Sequence, residues 1–166
     1  MGPWTKMFVK YAIILLLFVL VFFTLPLFSD ELTEVYTDKE IIAVTLILEA
    51  GGEYKPKSME AVYEVLYNRA IRRGATHDLE KRLNEKVVIE ALRRKQFSCW
   101  NNINKRNELM IKGMKHQKYA EALRIVNEPI TNWTGGATHY HTKAVNPYWA
   151  KTLTKTITIQ NHIFYK

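Results

Sequence analysis

One cysteine, Cys99, is all this 166-residue chain contains, which excludes an intrachain disulfide. Its stability must come from a packed core, and about 130 residues are enough to build one. Acidic residues are missing from two long stretches. None precedes Asp30, and none lies between Pro129 and Lys166. The second gap excludes the C-terminal tail as a source of any catalytic carboxylate. Glycine and proline number only 7 and 5, and neither repeats nor low-complexity segments occur, so the chain holds one domain and no repeat array.

The first thirty residues stand outside that domain. Lys6 and Lys10 precede a nearly unbroken apolar run, Tyr11 to Phe28. At 1.5 Å per residue this is long enough to cross a hydrocarbon core of about 30 Å. No small-x-small cleavage site follows it, since Pro26, Phe28 and Ser29 close the run. An uncleaved signal anchor is therefore expected over residues 1–30, with a short linker at 31–37 and the folded domain at 38–166. Lysines before the run and Asp30, Glu31 and Glu34 after it keep the N-terminus cytoplasmic and send the rest outside, or release it if the segment is cleaved. Beyond Lys10 lie 22 of the 24 basic residues against all 16 acids, a net charge of +6. Such a surface suits an anionic partner, and export excludes nucleic acid in favour of headgroups or wall polymers. The same lysines would also serve plain solubility.

Helices are expected first and strands last, an α+β arrangement. Thr37 and Glu40 form a capping box for a helix through "DKEIIAVTLILEA", which stops at Gly51-Gly52. A second helix starts at Ser58, with Met59, Val62, Leu66 and Ala70 at helical spacing and Gly74 beyond its end. A third is expected from Asn84 to Lys95 and a fourth from about His116 to Val126, before Pro129. "TKTITIQNHIFYK" then alternates and is β-branched, as a strand or hairpin arm would be.

Chemistry concentrates in two places. In "GGATHYHT", an extended backbone would put His139 and His141 on one face and Tyr140 on the other. Two imidazoles on one face suit half of a zinc site or the wall of a polar groove. Trp133, Asn146, Tyr148, Trp149 and His162 add aromatic faces and polar donors to the same tail, a combination suited to sugars or to core packing. Among the carboxylates, Glu49 ends an apolar helix just before Ala50-Gly51-Gly52. A carboxyl among apolar side chains suits a general acid, because burial disfavours the anion. Glu53 follows four residues later. Cys99 with His139 or His141 would instead make the nucleophile and base of a cysteine peptidase cutting stem peptides, and zinc held by His139 and His141 would make an amidase. A binding module that holds the wall without cutting it is the third alternative.

The blocks "LEAGGE", "NRA" at 68–70, "QFSCWNN" at 96–102, "ATHYHTKAVNPYWA" at 137–150 and "NHIFY" at 161–165 occur in one order. Together they resemble the spore-cortex-lytic type of cell wall hydrolases over about residues 38 to 166. The resemblance implies a helical, lysozyme-like lobe with a small antiparallel sheet near the C-terminus. It implies cleavage of peptidoglycan glycan strands by lytic transglycosylation, with Glu49 as the essential acid. By the same resemblance Glu53, Gln96, Phe97, Ser98, Trp100, His139, Tyr140, His141, Trp149 and His162 bind substrate or support the acid. No metal or other cofactor is implied. The chain departs from the family pattern at Leu48 and Gln160, where glycine is usual, and at Gly51, where arginine is.

Overall fold

A computed structural model of the chain describes residues 31–74 and 80–166. The apolar run at 11–28 lies outside the described residues. Among those described, no helix is long and apolar enough to cross a membrane.

The lobe is built around one helix. After α1 (Glu31–Val35), α2 runs from Asp38 to Ala50, with Thr37 and Glu40 forming the expected reciprocal capping box. Eight residues of α2 are buried, spread over all its faces rather than on one stripe. The helix is therefore central, packed by α3 (Lys57–Arg72), α4 (Glu80–Leu92), α5 (Arg106–Met114) and α6 (Tyr119–Asn127). Truncating a fully enclosed side chain such as Leu46 to alanine would cost about 2–5 kcal/mol. Gly113 of α5 is what allows close approach on one side. A Cβ there would lie 2.5 Å from Val44 Cγ1.

The third element joins the lobe to the sheet. Met59, Val62, Tyr63, Leu66 and Ala70 of α3 belong to the helical core. Ala61 and Val65 pack instead with Ala137, Ile159 and Phe164 under the sheet. That sheet has three antiparallel strands in the order β1 (His139–Thr142), β3 (His162–Tyr165), β2 (Lys155–Ile159). Its central register pairs His139 with Tyr165, Tyr140 with Phe164 and His141 with Ile163. The architecture is α+β, as expected.

Three boundaries differ from the sequence reading. The segment 31–37, expected to be a linker, carries α1, because Leu32 is buried against the lobe. The third helix begins at Glu80 and ends at Leu92, before Lys95, whose φ of +66 is left-handed. The fourth spans Tyr119–Asn127. Helix α5 was not foreseen: only Met110 and Gly113 of its nine residues are buried, so no apolar stripe announces it.

Candidate active site

Glu49 sits in the last turn of α2, half-buried, with Ala50 and Gly51 behind it. Its two carboxylate oxygens are held by donors from distant parts of the chain. The Tyr140 hydroxyl donates to Oε2 at 2.8 Å. The Cys99 thiol donates to Oε1 at 3.4 Å. Strand β1 delivers the first donor and the 3-10 turn Ser98–Trp100 the second, so the carboxyl is oriented from two sides.

The phenol and the thiol are both fixed in their protonated forms. Burial, then the Glu49 carboxylate, raises Tyr140 well above its ordinary value. Burial, then the Glu49 charge and the hydrogen bond to it, pushes Cys99 strongly upward too. A thiol held neutral beside a carboxylate is the opposite of an activated nucleophile. Its role here is to donate.

The tyrosine is itself packed in place. Its ring meets Phe164 at 5.6 Å, His162 at 5.3 Å and Phe97 at 6.4 Å. Arg69 runs alongside: its Nε donates to the Thr138 carbonyl at 2.6 Å, and its guanidinium lies 5.6 Å from the Phe97 ring. Burial lowers the Arg69 pKa, while the nearby Tyr140 and Glu49 groups raise it. Its Nη1 is buried without a hydrogen-bond partner among the described residues. Arg69 belongs to the "NRA" block, and nothing in the sequence around it signals a place beside Glu49.

The His-Tyr-His triplet divides as its alternation required. Tyr140 faces Glu49, and the two histidines point to the other face of β1. There His141 stacks on Tyr165 at 5.3 Å, and Trp149 meets His141 at 5.6 Å and His139 at 5.2 Å. Both His141 nitrogens are occupied, Nδ1 by the Thr142 carbonyl at 2.8 Å and Nε2 by the Tyr165 hydroxyl at 3.0 Å. Neither is free for a metal. Burial, followed by Arg69 and Arg72, lowers the His139 pKa. Among the described residues no cluster of three or more metal-ligating side chains forms.

The remaining candidates take varied positions. His162 is buried, with Nδ1 3.7 Å from Glu53 Oε1. Phe97 and Trp100 are fully buried, and Trp100 donates from Nε1 to Thr45 Oγ1 of α2 at 3.0 Å. Both belong to the helical core and offer no surface to a ligand. Gln96 and Ser98 are exposed beside them. At Gly51, where the resemblance would expect arginine, a Cβ would lie 2.4 Å from the Ile47 carbonyl oxygen, so this helix end has closed around a missing side chain.

A family model described as Cell Wall Hydrolase matches residues 53–165, or 113 of the 166 positions. The match takes in every candidate above except Glu49, which lies four residues before its start. Comparison with curated proteins and with solved structures finds no match.

Proposed function

The chain belongs to the cell wall hydrolase family, whose work is the degradation of peptidoglycan, and from that premise we propose that it cuts the glycan strand at the muramic acid–glucosamine bond by lytic transglycosylation. The observation that carries this reading is the setting of Glu49. It is a half-buried carboxylate, oriented through both oxygens, beside a tail that contributes no carboxylate at all.

Hydrolysis with inversion or retention uses two carboxyl groups about 5 to 9 Å apart. Transglycosylation uses one, in two roles. Glu49 as the acid gives its proton to the glycosidic oxygen, and the bond from that oxygen to the muramic acid C1 breaks. Glu49 as the carboxylate then takes the proton of the C6 hydroxyl while that oxygen closes on C1. An anhydro ring forms, the proton returns to Glu49, and no water is consumed. Tyr140 and Cys99 keep the carboxyl aimed through both halves of the cycle.

Mass spectrometry of digested peptidoglycan tests this directly. Anhydro-muramyl ends are expected; reducing ends would indicate a hydrolase, and freed stem peptides an amidase or peptidase. Glu49→Gln keeps the shape and removes the transferable proton, so a loss on the order of 10²-fold or more is expected. Clearing at the wild-type rate would remove Glu49 from the mechanism. The run from Tyr11 to Phe28 belongs to the same proposal as an uncleaved anchor that holds the domain on the outer face of the cytoplasmic membrane. Full-length protein in the membrane fraction is expected, and a soluble form starting near Ser29 would replace the anchor with a cleaved signal.

A further inference from the structure

The segment between α2 and α3 has no regular structure, yet it is pinned at four points. Glu53 N–H donates to the Ala50 carbonyl at 3.1 Å. The Glu53 carbonyl accepts from Lys118 Nζ, and its carboxylate faces His162. The fourth point is Gln160, in the two-residue turn between β2 and β3. Its Oε1 accepts from the Tyr54 and Lys55 amides at 3.1 and 3.3 Å. Its Nε2 donates to the Lys55 carbonyl at 3.0 Å and to Ser58 Oγ at 2.8 Å.

Gln160 does this from an unfavourable backbone conformation. Its φ is +49, in the left-handed region that glycine adopts freely and a β-carbon resists. A glycine would relieve the turn and lose all four side-chain contacts.

What this clamp holds up is Tyr54. Its amide is fixed while the residue is 91% exposed, the most exposed of the large apolar side chains described. Large rings usually bury themselves, and one that does not gains nothing for the fold from its apolar area. Tyr54 lies five residues after Glu49, so the two α-carbons are no more than about 18 Å apart. The loop that carries it contacts His162, whose ring meets the tyrosine that holds Glu49.

We propose that Tyr54 is a sugar-stacking residue, an aromatic platform fixed by Gln160 that receives a pyranose ring of the glycan strand beside the cleaved bond. This rests on the glycan-cleaving reading of the site. A pyranose presents a face of C–H bonds that packs on an aromatic ring, while its hydroxyls stay in water. A mount ordered before binding reduces the loss of freedom on association. The phenol hydroxyl adds a polar handle at the rim.

The test uses full-length Glu49→Gln protein, which should bind without turnover, and soluble uncrosslinked glycan strands measured by calorimetry. Adding Tyr54→Ala should weaken binding tenfold or more, while Tyr54→Phe and Tyr54→Trp should keep it within about threefold, as an aromatic face requires. In the active enzyme, Tyr54→Ala should raise KM and leave kcat within twofold. Gln160→Ala should give a smaller loss of affinity, since the ring remains but its mount loosens. The unfolding midpoint of Tyr54→Ala should match wild type, because the ring is solvated. Unchanged affinity in the Tyr54→Ala protein overturns the proposal and leaves Glu49 untouched. No binding of glycan by the Glu49→Gln protein itself overturns this proposal and the glycan reading together.

Discussion

The hydroxyl of Tyr140 donates to the carboxylate of Glu49 at 2.8 Å across 91 positions of sequence. This bond joins the last turn of the central helix to the first strand of the sheet, so the lobe and the sheet meet at the candidate acid. Tyr140→Phe should remove the bond and keep the ring packing. A hydrogen bond to a charged group contributes about 1.5–3 kcal/mol, which predicts a rate reduced roughly 10- to 100-fold. The unfolding midpoint should fall by only a few degrees, because the same bond also contributes to the fold. A rate equal to wild type would mean the phenol does not orient the acid.

Cys99 is predicted to be inert. Its thiol pKa is driven up by burial and by Glu49, so little thiolate exists at neutral pH to react. Labelling by a thiol reagent in folded protein should be at least about tenfold slower than in unfolded protein. Cys99→Ser should retain activity, because a hydroxyl donates to Glu49 at least as well. Loss of activity in Cys99→Ser with retention in Glu49→Gln would identify a cysteine peptidase instead.

Glu64 should prove structural. Its buried carboxylate on α3 accepts from the Thr131 hydroxyl, the Trp133 amide at 2.7 Å and the Thr134 amide at 2.8 Å. It thereby ties the acid-free tail to the helical lobe just before β1. Glu64→Ala would leave two amides without a partner, at a cost of about 3 kcal/mol or more. Chemical denaturation is the measurement, and a loss below about 1 kcal/mol would show that water replaces the carboxylate.

Acid should weaken the fold through His162. Burial lowers its pKa, and Glu53 opposes that shift without cancelling it. The unfolded chain therefore takes up a proton at higher pH than the folded one does. Stability is complete above the unfolded value of about 6.5 and is lost as pH falls from there toward the lower folded value. Urea titrations between pH 7.5 and 5 should show this slope in wild type and a shallower one in His162→Gln. Equal slopes would assign the effect to other groups.

Much of the lobe could be read from the chain because its signals are local. The Thr37 capping box, the glycines that stop α2 and the apolar spacing of α3 act within a few residues, and each appears where expected. Helix α5 escaped because its place depends on Gly113 fitting against Val44, a contact between helices with no periodic signature.

The site follows the same division. Sequence alone determined that Tyr140 and its flanking histidines face opposite ways, since a strand alternates, and that Glu49 ends an apolar helix. Only the tertiary structure decided which face meets Glu49. The pairing of β1 with β3 and the packing of Ala61 and Val65 beneath the sheet turn Tyr140 inward and leave His139 and His141 with Trp149. It likewise made Cys99 a donor to Glu49, buried Trp100 against α2 and turned Gln160, a departure from glycine in the sequence, into the clamp beneath Tyr54. Alternation and capping are fixed by backbone geometry within one element. Contacts between elements depend on shape matched across tens of residues, which no local pattern carries.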